Sequence, residues 1–209
     1  MRIVSKILAS CFCFLPLLGC GQTPSITCQI STVKSLYKIG ETPAIAIQIK
    51  NSTDTTIQMV KVLDGSEAKW RYPHLYYEVF QIIGNKKRAL KPNLHTRCGN
   101  MDGIGVNDFV EVRSGQGFDP LANQSEVYTR SISLFQWSFK KKGKYSIVFH
   151  YSTAEVELKK WMGDTNTLWF GMNNEVFSDK TEAYNHLISL FNRVPKVDLT
   201  SNELLVEFN

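Results

Sequence analysis

Apolar and polar residues alternate along many short stretches of this chain, and turn residues break the stretches about every ten positions. Ile45, Ile47 and Ile49 share one face of residues 44–49 at a period of two, the pattern of a half-buried strand. Asn51-Ser52-Thr53-Asp54 supplies a turn, residues 57–63 read as the next strand, and Asp64-Gly65-Ser66 turns again. Residues 75–83 form a third strong strand, closed by Gly84-Asn85. Residues 109–112 and Phe118 flank a turn at 114–117. In residues 145–151, Tyr145, Ile147, Phe149 and Tyr151 mark one side. Residues 26–31 open this series, and residues 194–199 and 203–208 close it as strands. Residues 89–107 hold Pro92, Cys98, Gly99, Asp102, Gly103 and Gly105 and read as one long loop. Residues 132–139 fit a strand or a short helix, while 156–162 and 168–172 carry no clear period.

A period near 3.6 occurs in one place. Ala183, Leu187, Leu190 and Phe191 recur at helical spacing, with Tyr184 and Ile188 widening the stripe. Asp179 at N-cap and Glu182 at N3 have the spacing of a capping box, so a helix is expected over residues 180–192. Short alternating strands with one late helix predict a mainly β fold, an antiparallel β-sandwich with a helical insertion towards its C-terminal side. No internal repeat or linker-like run divides residues 26–209, so one domain is expected there.

The first twenty residues follow another logic. Arg2 and Lys6 precede residues 7–18, which are apolar except for Ser10. That length suits the apolar region of a signal peptide and is too short for a helix to cross a bilayer core of about 30 Å. Leu17-Leu18-Gly19-Cys20 resembles a bacterial lipobox, the signature of lipoprotein signal peptides. The resemblance implies cleavage after Gly19, lipidation of the Cys20 thiol and acylation of the new amino terminus. Two or more acyl chains give stable anchoring at about 0.8 kcal/mol per buried CH₂. Residues 20–25 then serve as a tether. The implied location is the cell membrane or outer membrane, facing periplasm or exterior. Gly21 in place of an aspartate points by the same resemblance to the outer membrane in a host that has one.

A second resemblance concerns the fold. Residues 37–51 and Gly143-Lys144-Tyr145-Ser146-Ile147 resemble the first and penultimate strands of immunoglobulin-like domains of exported bacterial proteins, with residues 201–206 similar to the terminal strand. In such domains the tyrosine of Gly-x-Tyr packs across a corner with its hydroxyl bonded to backbone. The long loop and the late helix depart from that pattern. The resemblance implies no activity, because one fold hosts many functions.

From Cys20 onward the chain carries 22 basic and 19 acidic side chains, a net charge of +3. That is ordinary and does not suggest a nucleic-acid partner. The runs Lys86-Lys87-Arg88 and Lys140-Lys141-Lys142 sit beside turn signals and read as solvated loop tips in preference to an anion site. With Cys11 and Cys13 in the signal peptide, Cys28 and Cys98 remain as an even pair in an oxidising compartment. A bridge between them would close a loop of about 70 residues, worth about 4 kcal/mol in the chain-entropy model. Two buried thiols are the alternative.

Catalytic and metal-binding sets are sparse. The histidines are His74, His95, His150 and His186, and no two stand in a paired helical motif. His95 and Cys98 have a ligand-like gap, and residues 100–108 hold oxygen donors and glycines without the spacing of a calcium loop. Ser114 lacks a nucleophile elbow. No catalytic residue, metal or cofactor is therefore assigned. The densest aromatic cluster is Trp70, Tyr72, His74, Tyr76 and Tyr77, and alternation sets Trp70, Tyr72, His74 and Tyr76 on one side of an extended segment. Exposed, that set suits stacking on a glycan or anchoring of a protein. Buried, it is core. Trp161 and Trp169 share the ambiguity. The leading expectation is a non-catalytic binding module for an envelope protein or glycan. The alternatives are an inhibitor or immunity-type lipoprotein acting through its loops, and a structural envelope lipoprotein.

Overall fold

A computed structural model describes residues 25–92, 104–122, 134, 137–162 and 180–209. In chain order the strands are β1 Ile26–Thr32, β2 Leu36–Tyr37, β3 Ile45–Asn51, β4 Ile57–Val60, β5 His74–Ile83, β6 Lys86–Leu90, β7 Phe109–Val112, β8 Gly117–Phe118, β9 Gly143–Ser152, β10 Asp198–Thr200 and β11 Leu204–Phe208. The helix α1, Lys180–Asn192, precedes β10. The chain is mainly β, as its alternation predicts.

The strands make a six-stranded sheet in the order β2-β11-β9-β5-β6, with β10 also beside β9, a three-stranded sheet β1-β3-β8 and a two-stranded sheet β4-β7. The pairings are antiparallel except for β2 with β11. Period-two alternation sends Leu75, Tyr77 and Val79 of β5 inward with Tyr145, Ile147, Phe149 and Tyr151 of β9. These meet Ile26, Cys28, Ile30, Ile47, Ile49 and Phe118 of the three-stranded sheet in one hydrophobic core. Fully burying side chains of this size stabilises the fold by about 1.5–3 kcal/mol each.

A second, smaller core lies at one end. Trp161, Leu187, Phe191 and Val194 pack with Val60, Leu63 and Ile104, so the apolar stripe of α1 closes over the end of β4. Tyr151 joins the two cores. Its ring belongs to the first, while its hydroxyl accepts a hydrogen bond from the Val60 N–H at 3.2 Å and donates one to the Val60 carbonyl at 2.9 Å. Two further side chains tie loops to sheets. The Tyr145 hydroxyl donates to the Lys141 carbonyl at 2.8 Å. The Asn202 amide grips Ile30, accepting from its N–H at 2.8 Å and donating to its carbonyl at 3.1 Å.

Several expectations need correction. Lys86-Lys87-Arg88 is not a loop tip but the start of edge strand β6, which takes Ala89 and Leu90 out of the expected long loop. Charged side chains on an exposed edge discourage pairing with another chain, which explains a basic run within a strand. The strand expected at 57–63 stops at Val60, where pairing with β7 ends and the chain enters the turns at 64–69. Residues 194–199 are strand only from Asp198, because Val194 belongs to the packing of α1. β2 takes in Tyr37, the first residue of the stretch 37–41 whose Gly40 reads in the sequence as a turn approach. The proposed cap Asp179, Trp169, His95 and Cys98 lie outside the described residues.

The expected Cys28–Cys98 bridge is not seen: Cys28 is a free, buried thiol. It lies on the inner face of β1, and burial pushes its thiol up to about 12. Burial and the raised pKa together keep the native thiol protonated and unreactive near neutral pH. Iodoacetamide applied without reductant is expected to leave the Cys28 peptide unmodified in the native chain and to alkylate it after denaturation, as read by mass spectrometry. Modification that requires a reductant as well would restore the bridge.

Candidate functional site

β5 presents His74, Tyr76 and Glu78 on the outward face of the six-stranded sheet, opposite in phase to its core residues. β9 presents His150 and Ser152 on the same face. The register sets Tyr76 directly across from His150 and His74 across from Ser152. The Tyr76 and His150 rings stack with centroids 4.7 Å apart, and Lys69 lies over the Tyr76 ring at 3.7 Å. His150 Nε2 is 3.1 Å from a Glu78 carboxylate oxygen, and its Nδ1 is 3.3 Å from the Thr200 hydroxyl. Just before β5, Tyr72 stacks on His74 with centroids 3.8 Å apart and tilts against buried Trp161 at 5.8 Å.

The structure thus brings Tyr72, His74 and Tyr76 into one strip, half-buried throughout. Their ring faces are already engaged: Tyr76 between Lys69 and His150, Tyr72 between His74 and Trp161. Edges and polar atoms are what this strip offers. Trp70 is the most exposed aromatic of the four, at 47%. It packs over Gly65, whose φ of +86° and missing Cβ allow the indole to approach, since a Cβ there would lie 3.2 Å from the ring. Trp161, ambiguous in the sequence, is fully buried. His186 is exposed on α1.

Burial holds the His74 imidazole below its ordinary range, and Lys69 adds to the effect, while Asp198 and Glu155 oppose it. His74 is therefore neutral at pH 7. Glu78, His150 and Thr200 have the connectivity of an acid–base relay. They sit on the outward face of paired strands, where the register sets His150 opposite Thr200. The arrangement ties three strands together. Among the described residues no group of three His, Cys, Asp or Glu side chains is placed to hold a metal ion. Cys20 and Cys98 lie outside the described residues.

The outward face of the three-stranded sheet carries a groove of about 750 Å³, lined by Gln29, Ser31, Ala46, Gln48, Gly117 and Asp119. Gln29 and Gln48 are cross-strand partners, and burial raises the Asp119 carboxyl above its ordinary range. The sequence reading missed this groove, Lys69, Glu78 and Thr200. The alternation of β3 and β5 identifies Gln48 and Glu78 as outward-facing. The remaining residues needed the pairing between strands.

Comparison with family models, with curated proteins and with solved structures gives no match to this chain.

Proposed function

We propose that the chain is a lipid-anchored envelope lipoprotein whose immunoglobulin-like β-sandwich binds an envelope protein through the surface around Trp70. The lipobox-like Leu17-Leu18-Gly19-Cys20 supports the anchor. The immunoglobulin-like reading is supported by one core shared between two sheets, by β2 lying parallel to the last strand, and by the Tyr145 hydroxyl bonded back to Lys141. The observation that carries the binding reading is Trp70, half exposed beside a strip of aromatic rings already locked by stacking. A rigid aromatic anchor loses little entropy on docking, and such residues dominate interface energetics. The engaged faces of Tyr72 and Tyr76 leave little room for sugar rings to stack, which favours a protein over a glycan.

The full-length chain, tagged at its C-terminus and recovered from detergent-solubilised envelope, provides the test. Trp70→Ala is expected to change stability by no more than about 0.5 kcal/mol, as a surface substitution. It is expected to cost a hot-spot contact of about 2 kcal/mol or more, a loss of at least thirtyfold in affinity for the retained partner. A partner held equally by both chains would remove Trp70 from the interface. Cys20→Ser is expected to release the chain from the membrane fraction, and continued membrane association would refute the anchor.

A further inference from the structure

The two basic runs, separate in sequence, meet at one end of the molecule. β5 ends at Ile83 and turns through Gly84 into β6, opening with Lys86, Lys87 and Arg88. β9 begins at the same end, since Gln81 of β5 pairs with both Arg88 and Tyr145. The segment leading into β9 carries Lys140, Lys141 and Lys142, and Lys144 follows inside the strand. All seven side chains are exposed. The loop is held in place, with its Phe139 carbonyl accepting from the Gly40 N–H at 3.2 Å and its Lys141 carbonyl accepting from the Tyr145 hydroxyl at 2.8 Å.

Among the described residues, the acidic side chains facing this cluster are Glu203, which pairs with Lys87 at 2.5 Å, and Glu207, opposite Lys144 in register. Arg88 donates to neutral Gln81 at 2.7 Å. Among the described residues Lys86, Lys140, Lys141, Lys142 and Lys144 make no ion pair. Among the described residues, which carry 20 basic and 14 acidic side chains, seven cations against two carboxylates give this end a net charge of +5 out of +6, so nearly all of the described net charge gathers here. Strands β6, β5, β9 and β11 lie side by side there, a width of about 14 Å at roughly 4.8 Å per spacing. Charge spread over that width matches a repeating anion better than a single one. Six of the seven groups are lysines, which attract by point charge and lack the fork geometry that selects an isolated phosphate.

The entry of the chain into the fold lies at the opposite end. Ser25 accepts from the Ser52 N–H at 2.7 Å, and Ile26 pairs with Asn51, from which β1 runs back towards the basic end. The seven residues of β1 alone span about 23 Å at roughly 3.3 Å each. A surface charge is screened over about 8 Å at physiological ionic strength, so an upright domain keeps its basic end out of electrostatic reach of the bilayer that anchors it. We infer that this end binds a polyanionic envelope polymer, bearing phosphate or carboxylate groups along its length and lying beyond the anchoring membrane. The orientation rests on the lipoprotein reading; the charge cluster does not.

The test uses the full-length chain in detergent with linear polyphosphate, polygalacturonate and vesicles containing phosphatidylglycerol as separate probes. At least one polymer is expected to bind, with affinity falling steeply as salt rises. Replacing Lys140, Lys141 and Lys142 together by alanine is expected to lower that affinity about tenfold and to flatten the log–log salt slope by about 2. Replacing Lys50, Lys159 and Arg193 by alanine removes equal charge elsewhere and is expected to leave binding within about twofold. No polymer binding at low salt overturns the inference, as does equal loss in both triple variants. Tighter binding to the vesicles through the same lysines would assign the surface to a membrane instead. Fractionation of Cys20→Ser reads the anchor separately, so failure of the anchor and failure of the polymer site are distinguishable.

Discussion

Phe149→Ala is expected to lower the unfolding free energy by about 3–5 kcal/mol, the usual cost of emptying a buried phenylalanine site. Phe149 is fully buried at the middle of β9, packs on Tyr77 with centroids 5.0 Å apart and stands in the core shared by both large sheets. Its backbone is fixed independently of its ring, since its N–H donates to the Ser201 hydroxyl and its carbonyl accepts from the Ser201 N–H, each at 2.9 Å. The strand therefore cannot slide to fill the space, and the cavity persists. A domain of this size has about 5–15 kcal/mol in total, so the loss takes a large share of it. Urea unfolding followed by far-UV circular dichroism checks this. The midpoint should fall with the slope retained, and a midpoint shift worth less than about 1 kcal/mol would mean that the sheets do not share one core.

Trp161→Ala carries a comparable local cost, about 3–5 kcal/mol, but its effect is expected to stay at one end of the molecule. The buried indole is edge-on to Phe191 at 5.3 Å, tilted against Tyr72 at 5.8 Å, and donates through Nε1 to the Glu155 carbonyl at 3.1 Å. Lys196 lies 5.1 Å above the same ring. A thirteen-residue helix is marginal in isolation and depends on the surface beneath its apolar stripe. Hydrogen exchange is expected to lose protection along α1 while β5 and β9 keep theirs. Equal loss in helix and central strands would show that the two cores unfold as one.

The strands were legible where one side faces the core and the other faces water. β3 and β5 alternate along their length, and β9 does so from Ile147 to Ser152, because each is half-buried there, and the period marks their positions. β2 and β6 were missed for opposite reasons. β2 is two residues long, too short for a period, and forms because the end of β11 is beside it. β6 is a basic run exposed at four of its five positions, so it carries no apolar signal, and pairing with β5 makes it a strand. The helix was legible from its stripe, whereas its partners Val60, Ile104 and Trp161 come from three distant segments. The aromatic strip followed from alternation. Trp70, which packs over Gly65 before β5 begins, was separable from the other three only in three dimensions.

The grip of Asn202 on Ile30 bears on how the molecule lives among its own copies. The free edge of β1 would present peptide groups to any neighbouring chain, the usual starting point of fibrous assembly. A single primary amide, presenting one acceptor and one donor in the spacing of a peptide group, occupies that edge at Ile30, the fifth of its seven residues. The first strand is thus capped by a counterfeit of its missing neighbour. Copies of the chain that meet are denied by this cap the uninterrupted edge that runaway strand addition needs.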